Sequence, residues 1–139
     1  PRGDLHLTLS FHGPAVDLSD EQRSTMRDVV REWARTHVTM PATLGGVGRF
    51  SGASIDPVYV SPACPLLARA REDLIQALVG AACPPRSSHG FVPHVTIGYV
   101  EKNAPTPPPA DPVDLVFDTV ALWWAGEREE FKLARPGGA

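Results

Sequence analysis

One short phrase occurs twice in this chain, and it constrains the fold more than any other feature. Leu5-His6-Leu7-Thr8-Leu9 stands near the start, and Pro93-His94-Val95-Thr96-Ile97 stands far downstream. Each phrase sets a histidine and a threonine two residues apart among aliphatic residues. In an extended strand, residues two apart share a face. Each phrase therefore puts one imidazole beside one hydroxyl and turns aliphatic side chains the other way. A fold that joins the two strands would gather two histidines and two hydroxyls around one point. Such a set can run acid/base chemistry on a phosphate ester without a metal.

The pairing stands out from chance. The chain's five histidines and eight threonines would give about 0.3 H-x-T matches if scattered at random. The third copy, His37-Val38-Thr39, has a different context. His37 ends an amphipathic helix and follows Thr36 rather than an aliphatic residue. A histidine there is expected to complement the helix dipole and cap carbonyls.

The 139 residues fit a single domain spanning the chain and suffice to bury most of its apolar surface. Hydrophobic residues make up 42% and charged residues 21%, an ordinary globular composition. No apolar run approaches the roughly 18 residues that span a bilayer, and nothing resembles a secretory signal. A cytoplasmic protein without a membrane partner is expected. The net charge of −3 argues against a binder of long duplex nucleic acid. It leaves room for a small phosphate ester, which needs only a local positive site. Cys64 and Cys83 are too few for a disulfide framework and lack metal-ligand spacing, so both are expected to be reduced and structural.

Residues 5–11 alternate as a strand that Gly13 and Pro14 end. Ser19 reads as a helix N-cap with Gln22 as its capping-box partner. Met26, Val29, Val30 and Trp33 then recur at helical spacing to about Thr36. Residues 38–44 and 47–50 read as one strand bent at Gly45-Gly46, and residues 57–60 as a short apolar strand. Residues 64–79 carry Leu66, Leu67, Ala70, Leu74 and Leu78 at helical spacing, with Pro65 in the first turn. The second H-x-T strand covers residues 91–100. A proline-rich connection leads to a strand over 113–125, folded back at Gly126-Glu127 onto residues 130–134. The order is that of an α+β fold with antiparallel sheet.

Residues 5–11 followed by Gly13, and residues 91–99 (Phe-Val-Pro-His-Val-Thr-Ile-Gly-Tyr), resemble the two signature motifs of the 2H phosphoesterase superfamily. The nearer match is its branch of 2′-5′ RNA ligases and RNA 2′,3′-cyclic phosphodiesterases. The likeness extends to the helix after the first motif, to Gly-Val-Gly-Arg-Phe at 46–50, to the second helix and to the final hairpin. It implies two pseudo-symmetric lobes with antiparallel sheets flanking a central cleft, helices on the outside, and one H-x-T from each lobe. It implies His6 and His94 as the catalytic histidines, and Thr8 and Thr96 as the hydroxyls that bind phosphate. Members usually carry a strand, and often a helix, before the first motif. Here the motif begins five residues from the start, so the first lobe is expected to be short of that strand.

The chemistry follows from the residue types. Histidine, with an ordinary pKa of about 6.5, exchanges protons near neutrality. Opening a cyclic phosphodiester needs a base to activate water and an acid for the leaving oxygen. Threonine hydroxyls can bond the non-bridging oxygens, where transition-state charge collects. With the resemblance, the expected enzyme is a metal-independent, cofactor-free phosphodiesterase acting on a 2′,3′-cyclic phosphate or 2′-5′ linkage. Its substrate would be an RNA end or small nucleotide. His6 is assigned as general acid and His94 as general base, in a monomer. His89 and Arg86 in the loop before the second motif are further candidates for substrate contact, as is Tyr99 for stacking on a base. Arg49, Lys102 and Phe11 rank below them. Two other readings are a non-catalytic nucleotide- or phosphate-binding module on the same fold, and a domain of a larger phage or mobile-element protein.

Overall fold

The computed structural model describes residues 5–86, 91–109, 111–124 and 126–137. Its elements are a 3-10 turn at Ala15–Asp17, helix α1 at Asp20–Thr36, strands β1 at Met40–Arg49 and β2 at Ile55–Ala63, and helix α2 at Leu67–Gly80. Strands β3 at Val95–Glu101, β4 at Val113–Phe117, β5 at Thr119–Trp124 and β6 at Glu127–Lys132 follow. The fold is α+β with antiparallel sheets, as expected. The chain divides into two compact units. The first comprises Pro1–Leu9, Ala42–Cys64 and Phe91–Leu115, and the second Ser10–Pro41, Pro65–Gly90 and Val116–Ala139.

The second unit is built on the two helices. Ser19 and Gln22 form the expected capping box at the start of α1. Met26, Val30, Trp33 and Ala34 of α1 and Leu67, Ala70, Leu74 and Leu78 of α2 are buried. The Trp33 indole donates to the Ala70 carbonyl at 2.9 Å, which locks the two apolar stripes together. Strands β5 and β6 form a hairpin, with Gly126 at φ +89° in the turn; the return strand starts at Glu127, earlier than the expected 130–134. The strand expected over 113–125 is two strands, broken at Asp118. The Asp118 carbonyl accepts from the Leu133 amide at 2.9 Å and its carboxylate from Thr119 at 2.9 Å, so its polar groups serve the turn. Cys83 is a free thiol, and desolvation pushes it up from its ordinary pKa.

The first unit is a sheet with strand order β3-β2-β1-β4. Two one-residue bulges shape it. Between β1 and β2 the register steps from Gly45 opposite Ser61 to Gly48 opposite Tyr59, with Gly46 at φ +67° taking the kink. Between β2 and β3 it steps from Val58 opposite Gly98 to Tyr59 opposite Thr96. Each bulge reverses which face the following residues present. One face carries Val58 and Val95, which are buried, together with Asp56. The other carries Gly48, Pro57, Tyr59, Thr96 and Tyr99.

Arg49 lies opposite Val58 on the buried face, and its guanidinium is fully engaged. Its Nε donates to Asp56 at 2.9 Å, and the terminal nitrogens donate to the carbonyls of Glu101, Lys102 and Ala104 and to the Thr106 hydroxyl. Lys102 donates to Asp56 at 3.0 Å and to Ser51 and the Gly52 carbonyl. Arg49 and Lys102 thus brace the sheet, where the sequence had offered them as minor candidates for substrate. The Gly52 amide, then Lys102, then Arg49 hold the Asp56 carboxyl down from 3.8 to about 2. A depressed folded-state pKa contributes stability above the unfolded value that is lost as pH falls through the folded one. Thermal melts should therefore weaken between pH 3.8 and about 2. Asp56→Asn should be less stable at neutral pH and lack this part of the acid limb. An unchanged limb in that variant would refute the assignment.

Residues 5–11 do not form the strand that their alternation predicts. One isolated antiparallel bridge joins Leu7 to Val95. Over Ser10–Pro41 the chain belongs to the second unit. There the Phe11 carbonyl accepts from the Arg86 amide at 2.6 Å, and His12 bonds the Pro84 carbonyl at 3.0 Å. The segment leaves β3 too soon for a ladder to form.

Candidate active site

The Leu7–Val95 bridge builds the site. In an antiparallel pair the residues flanking a bridge also face each other. His6 therefore lies opposite Thr96, and Thr8 opposite His94. By alternation from the bridge, these four residues are assigned to the face away from Leu7 and Val95, and Val95 is 4% exposed. Each histidine is paired across the strands with the other motif's threonine. Both motif segments belong to the first unit, whereas the resemblance gave one to each lobe. The bridge makes them neighbours beside one sheet.

His6 and Thr8 are exposed, and His94 and Thr96 are half-buried. The His94 Nδ1 lies 2.8 Å from the Val92 carbonyl. A carbonyl only accepts, so Nδ1 carries a proton and the neutral ring keeps its lone pair on Nε2. Two aromatic rings border His94. The Phe50 centroid is 4.9 Å away at an interplanar angle of 78°, and that of Tyr59 is 5.6 Å away at 66°. Phe50 and Tyr59 stack on each other at 4.3 Å.

Tyr99 lies opposite Pro57, so the β3 bulge returns it to the motif face despite its odd spacing from Thr96. It is 63% exposed. Arg86 lies in the second unit, bonded to Asp17 at 2.9 Å and packed where a Cβ on Gly13 would be. His89 falls outside the described residues. Phe11, also in the second unit, is 57% exposed.

His37 behaves as its context predicts. It stacks on Trp33 with centroids 4.8 Å apart, bonds the Trp33 carbonyl through Nδ1 at 2.8 Å and meets Asp73 through Nε2 at 2.9 Å. His37 first, then Arg69, holds the Asp73 carboxyl below its ordinary pKa. Among the described residues no group of three His, Cys, Asp or Glu side chains is arranged to hold a metal ion, and no helix is long and apolar enough to cross a membrane.

Sequence reasoning did not single out Phe50 and Tyr59 as site residues. The available signal was a glycine-rich segment ending in Phe50, followed by an alternating strand holding Tyr59. Only the register of β1 and β2 turns both rings toward His94.

The fold is shared with solved structures of low sequence identity. A protein from Thermus thermophilus superposes with a TM-score of 0.67 at 22% identity, over 97% of this chain and 81% of that one. E. coli LigT in complex with 3′-AMP gives 0.63 at 20% identity, over 96% and 76% of the two chains. A structure described as a phosphoesterase gives 0.61 at 20% identity, over 94% and 75%. No curated protein sequence matches the chain. The sequence model of the 2'-5' RNA ligase superfamily matches residues 1–128. With that match running through both histidine motifs and most of the chain, the protein belongs to the 2'-5' RNA ligase superfamily.

Proposed function

We propose that the protein is a cytoplasmic phosphodiesterase that opens 2′,3′-cyclic phosphates, or cleaves 2′-5′ linkages, on RNA ends or small nucleotides. The observation that carries this reading is the Leu7–Val95 bridge, which brings the two histidine motifs alongside each other. His94, with its lone pair on Nε2, is the general base for water. His6 is the general acid for the leaving ribose oxygen. Thr8 and Thr96 donate to the non-bridging oxygens, where charge collects in the transition state. In the ligase direction the two histidines exchange roles. The superfamily supports phosphodiester chemistry in general. The complexes of E. coli LigT with 3′-AMP and with NADP+ support a small nucleotide as the ligand here. Tyr99, exposed on the same face, is the proposed stacking surface for a nucleobase. The substrate enters without a metal, and the enzyme acts as a monomer.

The test is product analysis on a panel of 2′,3′-cyclic nucleotides, cyclic-phosphate RNA ends and 2′-5′ oligonucleotides, with and without EDTA. Turnover of at least one class at a rate indifferent to EDTA is expected. Tight nucleotide binding with no turnover of any class would refute the proposal in favour of a binding module. Thr8→Val and Thr96→Val should each lower kcat by roughly 10²-fold, the scale for losing one oxyanion donor. A change confined to KM would remove the threonines from the transition state.

A further inference from the structure

We propose that Gly48, Tyr59 and Phe50 form a positioning device that holds the His94 imidazole in a single orientation. The proposal rests on the reading of His94 as a catalytic base and adds the residues that set its direction.

The three occupy adjacent places on the motif face. Gly48 lies opposite Tyr59 across β1 and β2, and Tyr59 lies opposite Thr96 across β2 and β3. Tyr59 leans toward β1: a Cβ on Gly48 would overlap its Cζ, Oη and Cε1 atoms. The ring therefore rests on bare glycine backbone. Its hydroxyl overhangs β1, on the far side from the strand that carries Thr96. The tyrosine contributes its ring to the site, and its hydroxyl is dispensable. Phe50 covers the ring, with an interplanar angle of 23°. Together the two rings meet His94 at angles of 78° and 66°.

These contacts complete the restraint on the imidazole. The Val92 carbonyl fixes Nδ1 at 2.8 Å and selects the tautomer, but one hydrogen bond leaves the ring free to swing about it. The two rings close the directions of swing. Gly48 is required because any side chain there occupies the volume of the Tyr59 ring. Phe50→Leu removes one wall, Gly48→Ala displaces the other, and Tyr59→Phe leaves both in place.

The experiment pairs imidazole NMR with kinetics on a 2′,3′-cyclic nucleotide. In the parent protein the His94 nitrogens should report one tautomer, protonated at Nδ1. In Gly48→Ala and Phe50→Leu the freed ring should leave the Val92 carbonyl part of the time, so the two tautomers should average. Their kcat should fall by about 10-fold or more, as a misplaced catalytic group predicts, with KM changed less than about 3-fold. Tyr59→Phe keeps the ring and should retain the parent's single-tautomer signature. An unaltered His94 signature in both Gly48→Ala and Phe50→Leu would overturn the proposal, as would averaged tautomers in Tyr59→Phe. If Gly48→Ala does not fold, Phe50→Leu alone decides. The NMR readout needs no substrate, so it judges the positioning device separately. Undiminished turnover by His94→Ala would instead overturn the catalytic reading on which the kinetic arm depends.

Discussion

Replacing His94 by alanine should lower kcat on a 2′,3′-cyclic nucleotide by about 10²–10⁴-fold, the range for removing a positioned general base. His6→Ala should lose a comparable amount as the general acid. The two histidines act in one proton-transfer scheme, so the double variant should lose less than the product of the single losses. The parent pH profile should be bell-shaped. A base must be neutral to work, so activity rises with pH as His94 deprotonates. An acid must be protonated, so activity falls with pH as His6 deprotonates. His94→Ala should abolish the rising limb and His6→Ala the falling one. Exchange of the two limbs would reverse the assignment of acid and base. Full turnover by either variant would end the two-histidine mechanism. His6 is exposed and His94 half-buried, so melting temperatures should stay close to the parent's and separate catalytic loss from unfolding.

Arg49→Met should be the largest stability defect of those considered. Its side chain joins β1 to Asp56 of β2 and to three carbonyls at the end of β3 and beyond it. Methionine fills some of the volume but donates nothing. Asp56, 7% exposed, would retain only Lys102 and the Gly52 amide, and the carbonyls of residues 101, 102 and 104 would lose a shared donor. Removing one charged partner of a buried carboxylate is costly, and a fall in Tm on the order of 10 °C is expected for a chain of this size. Circular dichroism melts measure it. Arg49→Lys should recover only part of the loss, because an ammonium cannot reproduce the planar fork. A melt of Arg49→Met matching the parent's would show that the brace contributes nothing. Arg49 sits between Gly48 and Phe50, so a weakened brace should also reduce turnover.

Local patterns carried a good part of this fold. Ser19 and Gln22 announced the first helix because a capping box is a contact between near neighbours. The apolar spacing from Met26 to Trp33 and from Leu67 to Leu78 marked the faces that become buried. Gly126 marked the final turn because positive φ suits glycine. The strand over residues 5–11 failed for the complementary reason. Alternation tells which side chains share a face, but it does not tell whether a hydrogen-bonding partner runs alongside. Past Leu9 the partners lie at residues 84 and 86, remote in sequence.

The amino-acid sequence by itself supplied the candidate set: two histidines and two threonines in matching alternating phrases, with His37 set apart by its place at a helix end. It could do so because identity and alternation are local properties. The tertiary structure alone decided the crosswise pairing of His6 with Thr96 and of Thr8 with His94, because that depends on one bridge between segments far apart in the chain. It also decided which residues surround them. A strand's faces follow from counting by two, and each bulge adds one residue to the count. The bulge in β1 turns Arg49 inward and Gly48 and Phe50 toward His94, and the bulge in β3 brings Tyr99 back to the face of Thr96. Their positions follow from the register between strands, which no single strand encodes.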